Sequence, residues 1–283
     1  MSNTIKTTLL LGLLTGIIMG FGQFLGGSQG LVIAFVLAGI MNFGAYWFSD
    51  RLVLAMYRAQ PVDMAQAPEL YGIVHNLVTR ARMPMPKLYL IPSGSPNAFA
   101  TGRSPEHAAV AVTEGIVRLL RPEELEGVLA HELAHVKNRD TLISTVAATL
   151  AGVVMMLANM VRWAAIFGGM QRNERDNGGG LVGLLVMSIV APIAAMVIQL
   201  AISRSREFQA DATGAAFAGN PLGLASALEK ITAAAGRVPL EASPQTAHLF
   251  IVNPVTGSTI ARLFSTHPPI EERVRRLREM VVV

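Results

Sequence analysis

The sequence predicts an α-helical integral membrane protein carrying a compact α+β domain, with about four membrane helices and a small β-sheet. Hydrophobic residues make up 52% of the 283 residues, charged ones 15%, and mean hydropathy is +0.45. That is too apolar for an ordinary soluble chain. Several uncharged segments reach bilayer length, and between them lie mixed stretches with the periodicities of surface helices and short strands. The formal net charge is +4 with a pI near 9.8, but the basic residues are scattered and few aromatics lie among them. Basic flanks of membrane spans explain this better than a nucleic-acid partner does. There is no cysteine, which excludes disulfides, thiolate metal sites and a cysteine nucleophile, so any metal must be held by histidine and carboxylate.

From Thr7 to Ser49 no residue is charged, about 43 positions, enough for two bilayer crossings. Gly26-Gly27-Ser28-Gln29-Gly30 interrupts the run, so membrane helices are expected over about 7–25 and 31–49, joined by a tight turn. A cleaved leader would need a small-residue cleavage site after the first apolar segment, and a second apolar segment follows instead. Lys6 lies on one outer flank and Arg51 and Arg58 on the other, while the turn carries no Lys or Arg. By the positive-inside rule both outer flanks face the cytoplasm. Residues 1–49 thus read as a transmembrane hairpin.

Residues 50–140 read as the first part of a catalytic domain. Ala67 to Arg82 places Leu70, Ile73, Val74 and Leu77 on one helical face, with His75 as a partly exposed helix residue. Lys87 to Ile91, between Pro86 and Pro92, reads as a strand, followed by extended pieces at Asn97 to Gly102 and Ala108 to Thr113. The three are expected to form a small antiparallel sheet, although 97–102 is also compatible with a loop. An open sheet edge would accept an extended peptide as a further strand. Pro122, Glu123 and Glu124 then start a helix, and this helix carries His131-Glu132-Leu133-Ala134-His135. Histidines four apart stand side by side on one helical face and can clamp one Zn²⁺; Glu132 is turned partly aside, in reach of a metal-bound water without being a ligand. Alone, this five-residue signature also arises by chance.

Residues 141–203 read as a second transmembrane or buried hairpin. Thr141 to Val161 and Leu181 to Ser203 are uncharged until their ends and of membrane length, the latter with a tolerated Pro192. The loop 171–180 between them is polar and ends in glycines. Residues 204–283 read as the second part of the catalytic domain, with a packing stripe of Leu222, Leu224, Leu228 and Ile231 and a final amphipathic helix carrying Ile270, Val274 and Leu277. A catalytic zinc needs a third protein ligand. Glu207 is the candidate, and Asp211, one turn on, is placed to fix a ligating imidazole's tautomer. The simpler alternative pairs both acids with Arg204 and Arg206.

Two N-terminal spans, His131-Glu132-Leu133-Ala134-His135-Val136-Lys137-Asn138-Arg139-Asp140, a second apolar pair, and Ser203-Arg204-x-Arg206-Glu207-Phe208-x-Ala210-Asp211 together resemble the HtpX family of bacterial membrane zinc endopeptidases, relatives of the CAAX prenyl proteases. The resemblance implies a zincin-like (gluzincin) catalytic domain on the cytoplasmic face of the inner membrane. It implies one Zn²⁺ on His131, His135 and Glu207, and Glu132 as general base. Its implied task is quality control, the cleavage of misfolded or misassembled membrane proteins, with self-cleavage a known tendency of membrane proteases of this type. Thr266-His267-Pro268-Pro269 corresponds to a His-Pro pair of the family, so that His267 either donates to the developing oxyanion or caps the last helix. His107 and His248 show no partner pattern.

Overall fold

The computed structural model describes residues 3–168, 204–235, 246, 249–251 and 268–280. The expected span 181–203, the loop 171–180, His248 and His267 lie outside the described residues.

The first helix, α1 (Asn3–Met56), is two arms joined where Gly26 and Gly27 leave helical geometry, Gly27 with φ 57° and ψ −142°. Both arms, Ile5–Gln23 and Gly26–Met56, are long and apolar enough to cross a bilayer. Among the described residues these two helices pass that test on their own. The turn is shorter than the five-residue interruption suggests, and the second arm continues past Ser49 to Met56. The onset of charge marks where an apolar medium would end; it does not stop backbone hydrogen bonding. The arms pack closely because a Cβ at Gly22 would collide with Ala34 and Gly30, and one at Gly30 with Gly22. Between them Asn42 Nδ2 donates to the Thr15 hydroxyl at 2.8 Å, the polar cross-link favoured inside a bilayer.

The sheet has four strands rather than three, and it is mixed rather than antiparallel. Its order is β1 (Gln60–Val62), β2 (Lys87–Ile91), β4 (Ala109–Thr113), β3 (Ala98–Thr101). The central pair β2 and β4 is parallel, and both outer pairs are antiparallel. The reason is topological: after β2 the chain steps over to form the far edge, β3, and the return strand β4 inserts between them. β1 escapes a sequence reading because it is three residues long and holds Pro61, which only an edge strand accommodates. Asn97 to Gly102 is indeed extended, with β3 at its centre.

Against the sheet lie α2 (Pro68–Ala81), the short α3 (Glu114–Leu119) and α4 (Pro122–Lys137). The last is buried along most of its length, from Glu124 to Val136. After it come α5 (Thr141–Gly168), α6 (Arg204–Ala218), α7 (Pro221–Ala235) and α8 (Ile270–Glu279). One core joins α2, β2, β4, α4 and α7 through Val74, Leu77, Leu88, Val110, Leu129, Leu133 and Leu228. A second joins both arms of α1 to α5 through Leu14, Ala38, Ile143 and Leu150. A third, with the aromatic rings of Tyr57, Phe99 and Phe250 packed edge-to-face or tilted at centroid distances of 5.0–6.0 Å, ties the end of α1 to β3.

α4 is fixed at its start by Glu124, whose carboxylate is fully buried. It accepts from the Arg121 amide at 2.9 Å, Ser226 Oγ at 2.7 Å and Lys230 Nζ at 2.7 Å. Burial works to raise the carboxyl, but these donors outweigh it and hold it at about 2. A folded-state value below the unfolded one stabilises the protein above about pH 4.5, and the contribution is lost as pH falls toward 2. Glu124→Ala is expected to leave the Arg121 amide and the Ser226 hydroxyl without their acceptor and lower stability by about 1–2 kcal/mol, measured as a drop in melting temperature at pH 7 that narrows as pH is lowered. An unchanged melting temperature would contradict this role.

Candidate metal centre

On α4, His131 and His135 stand one turn apart with ring centroids 4.7 Å from each other and planes at 88°. Their Nε2 atoms are 3.2 Å apart. From α6, Glu207 brings Oε1 to 3.4 Å from His135 Nε2 and Oε2 to 3.8 Å from His131 Nε2. One ligand atom of each of these three residues lies within 4.8 Å of the others. α6 comes this close because Gly214 faces α4, where an added Cβ would sit 2.8 Å from the His131 backbone nitrogen. Any larger residue there pushes the helix carrying Glu207 outward.

The outer edge of each imidazole is backed by an acid. His131 Nδ1 is 2.9 Å from Asp211 Oδ1, and His135 Nδ1 is 3.3 Å from Asp140 Oδ2. A carboxylate only accepts, so each ring carries its hydrogen on Nδ1 and turns the Nε2 lone pair inward toward Glu207. Two Nε2 atoms and a carboxylate therefore converge, with Arg273 Nη2 at 3.4 Å from His131 Nε2 on the border of the group, an arrangement that a cation would satisfy. The separations of 3.2, 3.4 and 3.8 Å suit the chemistry, since a tetrahedron with bonds of about 2.0–2.1 Å has edges of about 3.3 Å. A His-His-Glu donor set of this kind fits zinc.

The titration behaviour follows from the same crowding. Burial opposes a charge on His135, but Glu207, Asp140 and Glu132 outweigh it and raise the ring to about 9, so a proton stands in for the cation. His131 is lowered to about 4 by burial and by the Arg273 guanidinium, leaving it neutral. Glu132 is raised to about 8, first by burial and then by Glu207. Its Oε2 accepts the Ala100 amide hydrogen at 2.8 Å, which ties the carboxylate to strand β3. Asp211 resists the upward pull of burial and is held at about 2 by Arg273 and His131.

His131, Glu132, His135, Glu207 and Asp211 are thus gathered at one place. The local pairing of Asp211 with an arginine of its own helix is not what forms: Arg206 meets Asp140 at 3.2 Å, and Asp211 meets Arg273 from α8. His75 stacks on Tyr71 and His107 is exposed beside Ser104, both away from the centre.

Three participants are not evident from spacing alone. Arg273 is fully buried; its Nε and Nη2 donate to Asp211 at 2.9 and 2.7 Å, and Nη1 donates to the Ile251 carbonyl at 3.3 Å. A signal for it exists, since Arg273 occupies the stripe of Ile270, Val274 and Leu277 while its neighbouring arginines face outward. Asp140 lies past the end of α4, where no periodicity reaches it. The Ala100 amide is backbone and carries no side-chain signal.

The sequence pattern described as peptidase family M48 matches residues 64–281. The chain is 62% identical over 282 residues to a Protease HtpX homolog of Syntrophobacter fumaroxidans, covering 99% of this chain and 100% of that one. It is 55% identical to a Protease HtpX homolog of Thermococcus kodakarensis, covering 98% and 95%. Among solved structures, the crystal structure of S. mikatae Ste24p shares the fold with a TM-score of 0.51 at 17% identity; the match covers 97% of this chain and 65% of that one.

Because His135 must give up its proton to act as a ligand, zinc titrated into metal-free protein at pH 7 is expected to release protons. Apparent affinity should rise with pH by up to about tenfold per unit between about pH 6 and 8. Calorimetry in buffers of different ionisation enthalpy measures both; an affinity flat across that range would contradict the convergence of acceptors.

Proposed function

Since the chain belongs to peptidase family M48 and is a membrane-associated metalloprotease of the HtpX type, we propose that it is a zinc endopeptidase in which His131, His135 and Glu207 hold the metal and Glu132 moves the proton. Zinc bound there would supply a Lewis acid for the scissile carbonyl and lower the pKa of the attacking water. The observation that carries the reading is the convergence of two Nε2 lone pairs and the Glu207 carboxylate, each imidazole backed by an aspartate.

In this reading Glu132 takes a proton from the attacking water as its oxygen bonds to the carbonyl carbon. It returns that proton to the departing amine as the C–N bond breaks, leaving a carboxylic acid and an amine. The Ala100 amide holds one Glu132 oxygen, so the carboxylate keeps its aim without rotating freely. Asp211 and Asp140 hold the Nδ1 hydrogens and so keep both rings in the ligating tautomer. An extended substrate would run along the outer edge of β3, where Ile251 already takes the Ala98 carbonyl at 3.2 Å and so limits the length of edge available. His267 would donate to the developing oxyanion.

The substrates proposed are misfolded or misassembled membrane proteins, cut on the cytoplasmic side of the inner membrane. In support, the helix carrying His131 and His135 ends at Lys137, just before α5 begins at Thr141, and α5 is packed into the apolar hairpin, so a segment leaving the bilayer would meet the site early. The basic residues Lys6, Arg51 and Arg58 lie at the outer ends of the two arms, the cytoplasmic pattern.

Glu132→Gln is expected to retain about one zinc per chain while casein cleavage falls about 10²–10⁴-fold. Glu207→Ala should lose zinc itself. Retained turnover in Glu132→Gln would remove the base assignment, and full zinc in Glu207→Ala would remove the third ligand. Sidedness is separable, because the chain lacks cysteine. A single cysteine replacing the exposed His75 should react with a membrane-impermeant maleimide in inside-out vesicles and stay unlabelled in intact spheroplasts; the opposite pattern would reverse the orientation.

A further inference from the structure

Asp140 stands at the corner where α4 ends and α5 begins. The two helices meet at 87°, and the preceding Arg139 takes φ 57° to make the turn. The Asp140 amide donates to the His135 carbonyl at 2.9 Å, so the corner is closed back onto the last turn of the histidine helix. The side chain is 7% exposed, and its two oxygens face different helices. Oδ2 lies 3.3 Å from His135 Nδ1, and Oδ1 accepts from Arg206 Nη1 at 3.2 Å. Arg206 directly precedes Glu207 on α6.

We propose that Asp140 is a positioning residue for the metal centre, orienting His135 and bracing the helix that carries the first two ligands against the helix that carries the third. The inference rests on the reading of His131, His135 and Glu207 as metal ligands. Two features separate this role from that of an ordinary acid at a helix start. Its outward-facing oxygen is spent on a residue next to the third ligand, which a cap does not need. The acid also completes a symmetry: Asp211, braced by Arg273, stands behind His131, and Asp140, braced by Arg206, stands behind His135. Each imidazole is thus held by a carboxylate that an arginine from another helix holds in turn. α5 begins at Thr141, whose hydroxyl donates to the Gly102 carbonyl at 2.9 Å just beyond β3. The same corner therefore seats the membrane-side helix against the strand that holds Glu132.

The test uses full-length protein in detergent, with zinc affinity measured by chelator competition and the ligand field read from the visible spectrum of the Co²⁺-substituted form. Asp140→Ser keeps a good helix-start residue but is too short to reach His135. It is expected to bind zinc about 10–100-fold more weakly, with an altered Co²⁺ spectrum and a metal-free melting temperature close to that of Asp140→Asn. Asp140→Asn keeps an oxygen for the Nδ1 hydrogen and should bind zinc more tightly than Asp140→Ser. Wild-type affinity and spectrum in Asp140→Ser would overturn the proposal, as would equal losses in both variants that merely follow a lower metal-free melting temperature. Wild-type protein that takes up no zinc would overturn the metal-site reading and this inference with it.

Discussion

Two imidazole Nε2 atoms and a carboxylate held within 3.2–3.8 Å of one another need a positive charge among them, which the proton on His135 supplies where no metal is bound. Much of the rest of the structure serves to keep them there. Isolated on one helix, His131 and His135 would rotate to find donors, and Glu207 would stay in water. Burial of α4 on nearly all sides removes the first escape, and Gly214 lets α6 approach closely enough to remove the second. The two aspartates then turn the rings by claiming their outer hydrogens. Each aspartate would itself be an unpaired buried charge were it not for Arg273 and Arg206. The chain of dependence runs outward from the lone pairs, through the acids, to arginines that lie far away in sequence.

The same chain of contacts carries the site to the membrane. Strand β3 holds the Glu132 carboxylate through the Ala100 amide, and its far end is fastened to α5, where the Thr101 and Thr145 hydroxyls meet at 3.0 Å. On the same face as Thr101, Phe99 of β3 packs with Tyr57, the residue that follows the second arm of α1. Arg103, just past β3, lies over the Trp47 ring at 4.6 Å, a cation–π contact at the level where an amphipathic ring would meet the lipid headgroups. The strand that holds Glu132 is thus anchored to both α1 and α5.

Much of this was legible in the sequence where it depends on local spacing. Apolar runs of bilayer length marked both arms of α1, Gly26 and Gly27 marked the turn, and helical spacing put His131 beside His135 and Asp211 one turn past Glu207. These follow from the fixed rise and pitch of a helix and from the thickness of a bilayer, and no tertiary information is needed. The resemblance to the HtpX family was legible for the same reason, because the motifs that carry it are short and local. What the sequence could not supply was anything that depends on one segment meeting another. The insertion of β4 between β2 and β3, which makes the sheet mixed, is a choice of chain path that leaves no trace in strand composition. Arg273 becomes the partner of Asp211 across 62 residues, and Asp140 reaches His135 only because the chain bends by 87° after α4. Such pairings are decided by which buried charge finds which counter-charge when the helices close. That is settled by packing in three dimensions, and only the tertiary structure shows it.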